Sequence, residues 1–214
     1  MSPRVVDVAT LAVGVLLMAL DRSTEPLNLP MSFTCKEAHQ RGLSDRVLHL
    51  LVDDGTLLRL GRGIYRRADA ELADEDLIAV AKRAPDATLC LLTALARHEL
   101  VDQIPDLVDV ALPRSRRPPR IEAPIRWHRF DEVTFSVGRV EVTLDDGASI
   151  GLYTAERSII DAFRLRHIEG EELAIEALRT WLRRPGSMPG ALLMMARAFP
   201  KAEPSLREAL KILL

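Results

Sequence analysis

The chain is poor in the side chains from which metal cages and disulfide scaffolds are built. Two cysteines and five histidines in 214 residues leave few ligand sets, so no multi-ligand zinc cage and no metal is expected. Cys35 and Cys90 read as two small buried thiols of a reducing compartment rather than as a disulfide. A strong charge of either sign is also missing. Twenty-nine Lys and Arg against 31 Asp and Glu give a formal charge of −2, so any nucleic-acid footprint must be local. The longest uncharged apolar run, residues 8–20, has thirteen residues and is too short to span a bilayer as a helix, which needs about 20. Enzyme signatures are absent as well: there is no phosphate-binding G-x-x-x-x-G-K-[ST], no G-x-G-x-x-G after a strand, no G-x-S-x-G and no H-E-x-x-H. Asn28, the single asparagine, lies in a linker and cannot serve a kinase catalytic loop. Conventional catalysis and bound cofactors are therefore not expected.

What is present is an ordinary globular composition, 48% hydrophobic and 28% charged, at a length that suits one large domain or two small ones. Residues 1–30 read as an apolar helix plus a linker with prolines at 26 and 30. The helix suits a core or a dimer contact. A secretion signal is a poorer fit, because only Arg4 precedes the run and no cleavage site follows, while Met31 keeps a later start open.

Residues 31–70 carry a denser set of signals. Thr34-Cys-Lys-Glu37 fits a capping box, the short helix after it stops at Gly42, and Ser44 opens a second helix with Val47, Leu48, Leu50 and Leu51 on its apolar side. Asp53-Asp54-Gly55 ends that helix. Two short strands, Leu57–Leu60 and Ile64–Arg67, flank Gly61-Arg62-Gly63. Helix, turn, helix and basic hairpin form the order of a winged helix-turn-helix.

Residues 71–214 predict helices over 74–83 and 88–100, then alternating segments at 107–112, 125–130, 133–137 and 140–144, with a hairpin at Gly138-Arg139 and a turn at Asp145-Asp146-Gly147 into 150–153. Helices return over 154–166, 171–184, 191–199 and from Ser205. The expected class is α+β: a winged helix followed by a domain of helices around a small antiparallel sheet.

Two basic clusters stand out. Between residues 31 and 67, seven Lys and Arg face four acids, a local net of +3. Lys36, Arg41, Ser44, Arg46, His49, Arg59, Arg62, Arg66 and Arg67 are the candidate DNA contacts, with the second helix in the major groove and the hairpin on the backbone or minor groove. Arg114, Arg116, Arg117 and Arg120 lie in a proline-stiffened loop suited to DNA, RNA, an acidic partner protein or plain solvent.

The stretch from Phe33 to Arg66 resembles the N-terminal winged helix of the AbiEi-like antitoxin family, and Thr154, Arg157, Ser158 and Asp161 resemble its T-x-x-R-[ST]-x-x-D element. The resemblance spans roughly residues 31–214. It implies a bacterial, cytoplasmic antitoxin whose N-terminal domain binds operator DNA and represses its own operon. Its C-terminal domain would act against a nucleotidyltransferase-type toxin, and a homodimer is compatible with this arrangement. The chain lacks the toxin's own G-S…D-x-D signature, since no Asp pair follows Gly186-Ser187. Asp45, Asp53 and Asp54 make the helical pair more acidic than the family pattern. That departure keeps open an antitoxin that acts only on its toxin, by direct binding or by covalent modification such as phosphorylation. Arg157 and Asp161, four apart on a helix, also suit a simple ion pair.

Overall fold

The computed structural model describes residues 29–70, 74–144 and 147–214. The expected N-terminal helix at residues 8–20 lies outside them. The chain is mixed α+β and separates into two compact units: Leu29–Glu75 with Gly147, and Asp76–Leu144 with Ala148–Leu214. Among the described residues no helix is long and apolar enough to cross a membrane.

The first unit runs β1 (Ser32–Thr34), α1 (Cys35–Gln40), α2 (Asp45–Asp53), β2 (Leu57–Gly61) and β3 (Ile64–Arg67). Thr34 ends the strand and starts the helix at once. Its hydroxyl accepts from the Glu37 amide at 3.3 Å while its own amide donates to Glu37 Oε2 at 2.6 Å, so the capping box is complete. Gly42, at φ +84°, provides the left-handed residue that releases the chain from α1. Ser44 then caps α2 by accepting from the Val47 amide.

Strand β1 was not foreseen. It pairs antiparallel with β3, which pairs antiparallel with β2, and β3 is therefore the central strand. Phe33 and Tyr65 are register partners and stack at 6.0 Å over a core of Leu29, Ala38, Leu43, Leu48, Leu51 and Leu57. Three residues are too few for a strand signal, and a partner distant in sequence supplies the pairing that makes it one.

The second unit contains α3 (Glu75–Arg83, from its second residue), β4 (Thr88–Leu89), α4 (Leu91–Arg97), β5 (Val108–Pro113), β6 (Ile125–Phe130), α5 (Glu132–Phe135), β7 (Arg139–Thr143), β8 (Ser149–Tyr153), α6 (Ala155–Arg164), α7 (Arg166–Glu169), α8 (Glu171–Leu182), α9 (Pro189–Ala196) and α10 (Glu203–Leu213). Three expectations need correction. The sheet is mixed rather than antiparallel: its order is β6-β5-β4-β8-β7, and the β5·β6 and β4·β8 pairs are parallel. The predicted helix over 88–100 opens with a two-residue strand at the middle of that sheet. Thr88 and Leu89 are buried between β5 and β8, and a fully buried strand has no alternation to read. The predicted strand over 133–137 is a one-turn helix. Asp131 caps it, with Oδ1 accepting from the Val133 amide at 3.0 Å, and the hairpin at Gly138-Arg139 gives way to one joining β7 to β8.

Leu77, Val80, Leu89, Val110, Leu112, Ile150 and Leu152 form one core of this unit. A larger helical core gathers Leu95, Ile159, Ile160, Phe163, Leu178, Trp181, Leu192, Phe199, Leu206 and Leu210. Cys90, Ala111, Phe130, Phe135 and Tyr153 belong to a third cluster.

Candidate functional site

The first unit sorts its basic residues by burial. On α2, Leu48 and Leu51 face the core, which leaves Arg46 and His49 exposed on the opposite side with Asp53 one turn further. The His49 ring is held by Nδ1 donating to the Asp45 carbonyl at 2.7 Å. Lys36 is exposed on α1, and Arg41 is exposed at its end with Nη1 donating to the Glu37 carbonyl at 3.2 Å. On the hairpin Arg59 and Arg62 are exposed, and Arg59 Nε donates to the Gly61 carbonyl at 3.4 Å. Ser44 is exposed, but its hydroxyl is occupied as the cap of α2.

Two of the nine expected contacts are placed otherwise. Arg66 is only 4% exposed, and its guanidinium meets Glu75 at 3.3 Å. Being on the central strand, with β1 on one side and β2 on the other, buries what would be a solvent-facing arginine on an edge. Arg67 is half-buried and makes a bidentate pair with Asp69 at 2.9 and 2.6 Å. Neither side chain is presented as an open contact.

One grouping was not foreseen. Cys35 and His39 lie one turn apart on α1, and the turn from α1 to α2 carries Asp45 back against them. His39 Nε2 lies 2.9 Å and Cys35 Sγ 3.3 Å from the same oxygen, Asp45 Oδ1. The hydrogen bond from His39, then that from Cys35, holds the Asp45 carboxyl below the ordinary carboxylate range. Burial, then the hydrogen bond to Asp45, pushes the Cys35 thiol up. A helical i, i+4 pair of Cys and His is the sequence signal that could have found it; the Asp comes from a different helix and leaves no spacing rule.

In the second unit the arginine loop is exposed throughout, at Arg114, Arg116, Arg117 and Arg120. Arg116 Nε reaches Asp86 at 3.0 Å, and the Arg114 carbonyl accepts from Arg129 Nη2. Ser115 donates its amide to Glu132 at 3.0 Å, which anchors the loop to α5.

Arg157 and Asp161 turn inward. Both are 0% exposed, and Arg157 Nε donates to Asp161 Oδ2 at 2.9 Å. Arg157 Nη1 donates to the carbonyls of Thr134 and Val137 at 2.6 and 2.5 Å, and its guanidinium lies 4.1 Å from the Tyr153 ring centre. Arg164 reaches the other Asp161 oxygen at 2.9 Å. Burial pushes the Asp161 carboxyl up against the pull of these two guanidiniums. Thr154 caps α6 by accepting from the Arg157 amide, and Ser158 donates to the Thr154 carbonyl at 2.9 Å. Thr154, Arg157, Ser158 and Asp161 thus cap α6 and tie it to the segment around α5.

Residues 33–68 match the family model described as transcriptional regulator, AbiEi antitoxin. The matched segment covers the helix pair and hairpin of the first unit, and the element at Thr154, Arg157, Ser158 and Asp161 lies outside it. No curated protein matches the chain.

Proposed function

From the match of residues 33–68 to the AbiEi antitoxin regulators, we propose that the chain is the antitoxin of a bacterial toxin–antitoxin pair and that residues 32–67 form a winged helix that binds the operator of its own operon. The observation that carries this reading is the outward face of α2 with Arg46 and His49, in one unit with the exposed hairpin arginines Arg59 and Arg62. A helix presenting Arg and His suits base edges in the major groove, and hairpin arginines suit phosphates or the minor groove. Lys36 and Arg41 add positive charge on α1. Arg66 and Arg67 support the fold through their carboxylate partners instead.

The second unit is the antitoxicity domain in this reading, and its exposed arginine loop is the surface offered to a nucleotidyltransferase-type toxin. Work on the toxin takes place in the cytoplasm. A second reading, an antitoxin that acts only on its toxin, is favoured by Asp53 and Asp54, exposed at the end of α2 where they would repel phosphates.

Titrating the purified protein against DNA from upstream of its own gene, at several salt concentrations, separates the two readings. About four phosphate contacts per protomer give a log–log slope near −4. Specific, salt-sensitive binding is the expected result. Absence of binding at low salt overturns the repressor reading and leaves the toxin as the only partner. The mass of the toxin after incubation with this chain, ATP and Mg²⁺ then distinguishes modification from contact.

A further inference from the structure

We infer that Cys35, His39 and Asp45 form a three-ligand site for a zinc-class divalent cation, with water in the fourth position. The inference rests on three chemically different donors brought together by two helices, and it is independent of whether α2 meets DNA.

The ligand atoms Sγ, imidazole nitrogen and carboxylate oxygen all lie within 4.8 Å of one another. Bond lengths of about 2.3 Å to sulfur and about 2.0–2.1 Å to nitrogen and oxygen place the donors of a tetrahedral zinc site roughly 3.3–3.5 Å apart. The two separations to Asp45 Oδ1 are 3.3 Å from Cys35 Sγ and 2.9 Å from His39 Nε2. Both need to open by a few tenths of an ångström, the sulfur to about 3.5 Å and the nitrogen to about 3.3 Å. The side chains that must adjust are free to do so, because those of His39 and Asp45 are 49% and 66% exposed.

Both hydrogen bonds converge on one oxygen, so a cation on the open side of the cluster takes the place of the two protons now shared there. On binding, the Cys35 thiol proton passes to solvent and Sγ becomes a thiolate ligand. His39 gives up its Nε2 proton to solvent and holds its single ring proton on Nδ1, taken from solvent if the ring was neutral, which leaves the Nε2 lone pair for the metal. Thiolate, carboxylate and neutral imidazole leave the bound divalent ion neutral. Mixed sulfur, nitrogen and oxygen donors select zinc-class ions over magnesium and calcium, which prefer oxygen alone. Asp45 is the first residue of α2 and Cys35 and His39 belong to α1, so the ion fastens one helix to the other.

The test uses the full chain without an affinity tag, titrated with Co²⁺ and then displaced with Zn²⁺. One equivalent of Co²⁺ is expected to bind with a thiolate-to-cobalt charge-transfer band and intense tetrahedral d–d bands, both lost on adding Zn²⁺. Cys35→Ser and Asp45→Asn should each weaken binding by about 100-fold or more, while Cys90→Ala leaves the spectrum unchanged. Asp45 is exposed, so circular dichroism of Asp45→Asn shows whether a loss reflects the ligand or the fold. Absence of the charge-transfer band in the parent protein overturns the site, as does unchanged affinity in the folded Cys35→Ser and Asp45→Asn variants.

Discussion

Gly138→Ala is the most discriminating perturbation the second unit offers. Gly138 adopts φ +68°, and a Cβ built on it would stand 2.6 Å from Arg157 Cβ and 3.3 Å from Arg157 Cγ. An L-residue forced into the left-handed region costs about 1–2 kcal/mol. The clash adds to that, because carbons pack best at about 3.5–4.0 Å and Arg157 Cβ is fixed by helix α6 rather than carried on a mobile side-chain end. Relief requires the backbone to give by most of an ångström, and overpacking of that kind costs about 1–3 kcal/mol. The expected loss is about 2–5 kcal/mol, a fall of roughly 5–15 °C in the melting temperature of that unit. Gly186→Ala is the matched control: its φ is +83° and nothing lies within 4 Å of the added Cβ, so only the left-handed cost of about 1–2 kcal/mol remains. Paired thermal melts followed by calorimetry and circular dichroism measure the difference. Equal losses in the two variants would refute the reasoning, since the backbone cost is common to both and only the contact with Arg157 separates them.

Arg157→Ala should destabilise by about 3–5 kcal/mol, because it strips two part-buried carbonyls and one side of the buried Asp161 of their donor; Arg157→Met combined with Asp161→Leu should cost less than the sum of the single changes, measured by denaturant titration. Arg46→Ala and Arg62→Ala should each weaken operator binding and lower the salt slope by about 1 where the side chain meets a phosphate, whereas Arg66→Met should lower stability and leave the slope in place. Thr34→Ala should cost about 1 kcal/mol in melts of the first unit, since it removes one half of the capping box. Burial pushes the Tyr153 phenol far above its usual value of 10.0, and its hydroxyl donates to the Phe135 carbonyl at 3.0 Å. A folded-state value above the unfolded one means that this stability is complete below about pH 10 and is lost as pH rises beyond it, so phenolate absorbance should appear together with unfolding. Phenolate formation at Tyr153 in a still-folded protein near pH 10 would contradict the burial.

Local chemistry decided much of the architecture, and those parts were readable in the chain. The capping box at Thr34 and Glu37, the glycine stop at 42, the Ser44 cap and the Leu48–Leu51 stripe depend on residues within four positions of each other, so composition and spacing define them. The same holds for β5 and for the inner ion pair of α6. What remained for tertiary structure was everything set by a partner far along the chain. A two-residue strand becomes the middle of a sheet only when β5 and β8 flank it, and β5 pairs parallel to β6 because the connection between them returns the chain to the same end. Arg66 and Arg46 are the same residue type in the same basic cluster. One is buried against Glu75 by lying between two strands, and the other is left in solvent by the helix face it occupies. Cys35, His39 and Asp45 meet for the same reason: a turn that ends at a left-handed glycine sets the second helix against the first, and that angle has no counterpart in residue spacing.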